Sequence, residues 1–267
     1  MKVITVATHN DGYYNILKES CKRNKLNLVT LGFNQRWKGF TMRYELIKEY
    51  LKHIKDNEII LIVDAFDVII LQNEEEIIKK FKKFNKKIVF SVQNGLISKI
   101  LFRKCNHNVL NQGTYIGYAK YLKLLYKILN KKTLFKKFNN DDQQILNYKC
   151  NIKKIFFKKF VGFDIKNDIF YVTDVTSFIN PNYLLFGKIN LKSNPSVLHL
   201  AASNNANKLI KKLSYNKIPY KNIPKVKLYK IEQSIYILKN FLRYNLIFII
   251  FSLIVFLVIK LNIWLIY

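Results

Sequence analysis

The sequence predicts an α/β sandwich built on a mainly parallel sheet, and three observations carry that expectation. Strand-like and helix-like runs alternate through residues 1–200. One of the strands, Glu58–Val63, is a continuous run of β-branched residues and leucine, the pattern of a strand buried on both faces. Half of the 267 residues are hydrophobic and only eight are Gly and four Pro, so there is apolar surface for a large core. Strands that alternate with helices are joined by crossovers and lie parallel. The same composition excludes a disordered tail, a collagen-like repeat and a Gly/Ser linker.

The elements follow in order. Val3–Ala7 reads as a buried first strand, because its apolar run is too short for a signal peptide and Asn10, Asp11 and Gly12 end it at once. A helix is expected over Tyr13–Lys25, a strand over Leu26–Leu31, a helix over Thr41–Lys55 and then the strand Glu58–Val63. The helix over Asn73–Phe84 carries its own signals. Asn73 can cap it, Glu76 completes a capping box, Glu74 and Glu75 sit at the positive end, and Lys79, Lys80, Lys82 and Lys83 lie toward the negative end. Lys87–Val92 is a further strand and Ala119–Asn130 an amphipathic helix. Residues 1–200 are thus expected to form one domain, and 201–243 a basic, partly helical connector with Leu228, Ile231, Ile235, Leu238 and Leu242 on one stripe.

The C-terminus differs from the rest. From Leu246 to Ile259 the only polar residue is Ser252, and counting on to Tyr267 gives 22 residues. A bilayer needs about 20, if Lys260 snorkels, and Tyr244, Trp264 and Tyr267 sit where interfacial aromatics belong. A buried core helix is the alternative, but the segment has no polar face. Residues 244–267 are therefore expected to be a single-pass C-terminal transmembrane anchor. Lys239, Arg243 and the lysines before them place the large domain on the cytosolic side by the positive-inside rule.

Lys and Arg number 46 against 17 Asp and Glu, a formal charge of +29. Only Arg23, Arg36, Arg43, Arg103 and Arg243 are arginines; lysine supplies the rest and is spread over nearly every segment together with Asn and Ile. That is the bias of an AT-rich coding sequence rather than of a nucleic-acid reader, which relies on arginine forks, and no zinc finger or basic zipper is present. No specific nucleic-acid partner is expected. Cys21, Cys105 and Cys150 are odd in number and without metal-ligand spacing, so a disulfide framework is not expected, and reduced or buried thiols are.

The most informative local signal is Ile59-Ile60-Leu61-Ile62-Val63-Asp64-Ala65-Phe66-Asp67, a buried strand that runs into two carboxylates three residues apart. Ligands of open α/β sheets collect at the carboxyl ends of strands, and two oxygen ligands there suit Mn²⁺ or Mg²⁺ bridging to nucleotide phosphates. The plainer alternative is one turn-capping Asp and one solvated Asp.

At this point the chain resembles the glycosyltransferase domain of the procollagen lysyl hydroxylases, of which standalone relatives occur in giant DNA viruses. The matching stretches are VITVATHNDGY at 3–13, LGFNQRWKGF at 31–40, ILIVDAFDVI at 60–69, IVFS at 88–91, LNQGTYIGYA at 110–119, NDDQQ at 140–144, FDIKNDIF at 163–170 and VLHL at 197–200. The resemblance implies a GT-A fold, a Rossmann-like nucleotide-sugar-binding sandwich. It implies transfer of a hexose, with glucose the first candidate, from a UDP-sugar with Mn²⁺ to a protein hydroxyl or glycan acceptor. Asp64, Asp67 and His199 would hold the metal, although a histidine between Leu198 and Leu200 is by itself equally a core residue. Phe66 falls where an aromatic stacks on uracil, Thr8 where the first strand meets the nucleotide, Trp37 and Gly39 in the family's Trp-x-Gly, and Arg43 near a lysine on the nucleotide side. Asn111, Gly113 and Gly117 would line the donor-sugar pocket. Asp141 and Asp142 would face the sugar, with Asp142 the nearer carboxylate; the structural alternative is an acidic first helical turn behind Asn140. The chain departs from the family at Val92-Gln93-Asn94-Gly95-Leu96, where a Cys-Trp-Pro stretch is usual, and at Leu200-Ala201-Ala202-Ser203, where Gly-Asn-Gly is usual. Collagen hydroxylation is not expected. Two other readings stay open: a non-catalytic, membrane-tethered nucleotide-sugar-binding relative, and a basic nucleic-acid or anionic-surface binder.

Overall fold

The computed structural model describes residues 1–93, 95, 98, 99, 102–129, 132–173, 193–201, 207–215, 217–220, 250, 253 and 256. The unbroken apolar run of Ile59–Val63 (β3) forms the buried strand its composition predicts. Ile60 and Ile62 face one cluster with Tyr44, Ile47, Leu122 and Ile145, while Leu61 and Val63 face a second with Leu17, Ile77, Phe81 and Phe170. Alternate residues of one strand therefore enter two separate cores, because side chains alternate across a sheet.

β3 lies within a six-stranded sheet. Its strands are Lys2–Val6 (β1), Asn27–Leu31 (β2), β3, Ile88–Val92 (β5), Leu110–Tyr118 (β6) and Val161–Asp164 (β7), in the order β2-β1-β3-β6-β5-β7. β1 is parallel to β2 and β3, and β5 is parallel to β7. β6 is antiparallel to both β3 and β5. The sheet is mainly parallel, as expected, with one strand reversed.

The helices are Tyr14–Arg23 (α1), Phe40–Lys52 (α2), Glu74–Lys83 (α3), Ala119–Leu129 (α4), Lys132–Lys137 (α5), Asp142–Ile152 (α6), Lys154–Phe160 (α7) and Asn207–Lys212 (α8). α2, α4 and α6 cover one face through Ile47, Leu122 and Ile145, and α1 and α3 cover the other through Leu17 and Ile77. α3 keeps the expected cap: Asn73 Oδ1 accepts from Glu76 N–H at 3.1 Å. The Glu76 carboxylate pairs with Lys79 at 3.2 Å. α2 starts behind Gly39, whose φ of +89° is open to glycine and strained for other residues.

A second sheet is not foreseen by the sequence. Val68–Ile70 (β4), Phe170–Val172 (β8) and Val197–His199 (β9) form it in the order β4-β9-β8. β4 pairs antiparallel with β9, which sets Val68 opposite His199. This small sheet brings the far end of the domain back to the residues that follow β3.

The cysteines correct an expectation. Cys105 and Cys150 are joined by a disulfide across 45 residues with Cα atoms 5.7 Å apart, inside the ordinary range. Cys21 is free and buried, as expected for an inert thiol, and burial pushes it up to about 12. Two cysteines 45 residues apart carry no local signature of their pairing.

Most of the connector at 201–243 and of the anchor at 244–267 lies outside the described residues. Among those described, no helix is long and apolar enough to cross a membrane. Ile250, Leu253 and Phe256 are described, helical and exposed.

Candidate active site

The end of β3 and the edge of the small sheet meet where the sequence places its acidic pair. Asp64 follows β3, its N–H donating to Gly113 C=O at 2.8 Å. Asp67 precedes β4, and the β4–β9 register sets His199 beside it. His199 Nε2 lies 3.4 Å from Asp67 Oδ2 and 3.6 Å from Asp64 Oδ2. One ligand atom from each of the three lies within 4.8 Å of the others, the one such cluster among the described residues. A small divalent cation with bonds of about 2.1 Å sets neighbouring ligand atoms roughly 3 Å apart, so little closure is needed. The donor set, two carboxylates and an imidazole, suits Mn²⁺ or Mg²⁺.

Room for an ion depends on Gly113. A Cβ there would stand 2.3 Å from His199 Cε1 and 2.5 Å from Asp64 Oδ2. The glycine is required by this approach of side chains.

The electrostatics follow from burial. Burial raises the Asp67 carboxyl, with His199 pulling the other way. Burial alone would lower His199, but Asp67 and Asp64 outweigh it and hold the imidazole above its ordinary value. Arg43 of α2 lies beneath. Its guanidinium binds Asp64 Oδ1 at 3.1 Å, Asp142 Oδ2 at 3.0 Å and the Gln112 carbonyl at 3.1 Å. Arg43 is 4% exposed, so this nucleotide-side candidate is committed to two carboxylates and a carbonyl.

Asp142, in the first turn of α6, is buried against Arg43, and burial, opposed by Arg43, pushes its carboxyl up to about 6. Asp141 is the N-cap itself, its Oδ1 accepting from Gln144 N–H at 2.9 Å, and burial pushes it up to about 7. The acidic-turn alternative thus describes Asp142, with the cap at Asp141 rather than Asn140.

Asn111, expected at the donor sugar, is 4% exposed and engaged with four groups: His199, Gly113, Gln93 and Gln143. Gly117 packs against Lys87 and Ile88 instead of lining the centre. Thr8 and Phe66 lie on adjoining loops at the ends of β1 and β3. His9, which the sequence reading passed over, joins them: its ring stacks on Phe66 with centroids 4.8 Å apart, and its Nδ1 lies 2.8 Å from Thr8 Oγ1. Its place in VATHNDGY, one residue past Thr8, was the available signal. Trp37 is 44% exposed on the β2–α2 loop, edge-on to Phe40, and makes no described contact with the acidic centre.

The chain is similar in sequence to several known proteins. Mouse procollagen-lysine,2-oxoglutarate 5-dioxygenase 2 is 33% identical over 167 residues, 56% of this chain and 22% of that protein. Uncharacterized protein R699 of Acanthamoeba polyphaga mimivirus is 25% identical over 177 residues, 58% of this chain and 39% of that protein. The chain therefore spans well under half of either relative. A solved galactosyltransferase, in complex with donor and acceptor sugar analogues, is 11% identical with a TM-score of 0.47, covering 86% of this chain and 100% of that one. The family described as the PLOD GT domain matches residues 1–199, the span that carries both sheets and the Asp64, Asp67 and His199 cluster, and the chain belongs to it.

Proposed function

We propose that the chain is a metal-dependent glycosyltransferase that moves a hexose, with glucose the first candidate, from a UDP-sugar to a protein hydroxyl or glycan. The observation that carries this reading is the convergence of Asp64, Asp67 and His199 at the carboxyl end of β3 in a member of a glycosyltransferase-domain family. Those residues would hold Mn²⁺ or Mg²⁺, which when bound supplies positive charge for the leaving diphosphate. The chain's own groups would do the rest. Phe66 offers a face for the base and Thr8 a hydroxyl beside it. Asp142, kept near the centre by Arg43, supplies negative charge where positive charge develops at the anomeric carbon. A C-terminal anchor at 244–267 would tether the domain to a membrane, with the cytosolic side predicted by lysine distribution.

UDP release from UDP-glucose with Mn²⁺ tests the reading, comparing wild type with Asp64→Ala. Turnover well above the variant is expected, and equal turnover in a screen of several UDP-sugars would overturn it. One observation favours a second reading, a binding module without turnover: Asp141 caps its helix and Asp142 is paired, so neither carboxylate is unengaged. UDP binding by calorimetry with no transfer from any donor would select it.

A further inference from the structure

Asn111 stands where four parts of the domain cross, and its partners fix which way its amide points. The Gly113 backbone N–H can only donate, and it meets Asn111 Oδ1 at 2.8 Å. At the other end Nδ2 donates to Gln93 Oε1 at 3.1 Å and to Gln143 Oε1 at 3.3 Å. Gln93 is oriented in turn by its own Nε2, which donates to the Thr173 carbonyl at 3.4 Å. Oδ1 is therefore an acceptor, and the atom it faces next is His199 Nδ1 at 3.1 Å. An acceptor at that distance requires hydrogen on the ring nitrogen. With Nδ1 protonated, the neutral ring keeps its lone pair on Nε2, the nitrogen that faces Asp64 and Asp67.

We infer that Asn111 is a positioning residue: it locks His199 in the Nδ1–H tautomer, so that Nε2 is presented to the cation, and through Gln143 it ties that ligand to the first turn of α6. The inference rests on the metal reading above. It assigns Asn111 to the histidine rather than to the donor sugar. Both side chains are nearly closed to solvent, Asn111 at 4% and His199 at 2% exposed, so water has little access to replace the amide. Asn111 and Gly113 work as one device on β6. The asparagine supplies the acceptor, and the glycine supplies the N–H that orients it and the space in which the imidazole lies. Outer partners of this kind orient a ligating imidazole and raise its basicity.

The test uses the full chain and Mn²⁺ alone. Asn111→Ala is expected to bind Mn²⁺ about 10- to 100-fold more weakly in calorimetry. Asn111→Asp keeps an oxygen for both Gly113 and His199 while giving up the amide donors to Gln93 and Gln143, and it is expected to bind Mn²⁺ more tightly than Asn111→Ala. Thermal unfolding checks that both variants are folded. Where Asn111→Ala does not fold, wild type decides: nitrogen-15 shifts of labelled, metal-free protein at alkaline pH should show hydrogen on His199 Nδ1, with His199→Gln assigning the signal. Wild-type affinity in Asn111→Ala, equal weakening in both variants, or hydrogen on Nε2 each overturns the inference. A wild type that binds no Mn²⁺ overturns the metal reading instead, and the tautomer is then judged on the nitrogen shifts.

Discussion

Arg43 sets the charge balance of the centre. Asp64, Asp67 and Asp142 supply three negative charges and Arg43 one positive, a net value that matches a divalent cation. Removing the guanidinium strands Asp142 and Asp64 with no counter-ion in a partly closed site. Arg43→Met is expected to lower stability by about 3–5 kcal/mol in urea unfolding, since breaking a buried pair leaves an unpaired charge. Adding Asp142→Asn should restore part of the loss. An unchanged midpoint in the single variant would show that the pair contributes nothing net. Asp141 gives a pH dependence of defined sign. Burial raises its folded carboxyl from the ordinary carboxylate range to about 7. A raised group stabilises the fold fully below the unfolded value and loses that contribution as pH rises through the folded one. Asp142, raised to about 6, acts in the same direction. Stability should therefore fall between about pH 4 and 7, and Asp141→Asn, which retains a capping oxygen, should remove about 2–4 kcal/mol of that fall. Unfolding midpoints across this range check it.

Whether an element was legible in the sequence depended on its length and on how many of its faces were buried. β3 could be read because both faces are buried and all five residues are apolar. α3 could be read because its cap and charges are local. β6 is not legible as a strand, because Asn111, Gln112, Gly113 and Thr114 interrupt its apolar run with the groups that hold Arg43, His199 and Ser91. The strands of the small sheet have three residues each, too short for any periodicity, and β4 pairs with β9 across more than a hundred residues of sequence. The centre was accordingly half visible: Asp64 and Asp67 end a readable strand, whereas His199 was carried by resemblance and the bonds of Asn111 to Gly113 and His199 have no local signal. Gly113 belongs to this scale, because the strand's path sets its clearance. Gly113→Ala should abolish measurable Mn²⁺ binding while leaving the far-ultraviolet dichroism intact, since its Cβ would collide with His199 and Asp64 but not with either core. Wild-type metal affinity in that variant would mean the cation sits elsewhere.

At the scale of the whole molecule, the Cys105–Cys150 bridge joins the segment before β6 to α6 and closes a loop that contains β6, α4 and α5. Loop-closure entropy for 45 residues of separation corresponds to about 4 kcal/mol, so Cys150→Ser or reduction should lower the unfolding free energy by up to that amount. The bridge also bears on where the domain resides. Structural disulfides persist in oxidising compartments, whereas the lysines near the C-terminus predict a cytosolic domain. These two arguments lead to different thiol counts in protein taken directly from cells and denatured without reductant. If the bridge is intact, Cys21 alone reacts with a maleimide, and all three react after reduction. If the domain is held in a reducing compartment, all three react at once. The bridge closes a core-spanning loop, so the expected result is one reactive thiol before reduction; three would return the domain to the cytosolic side that the lysines predict.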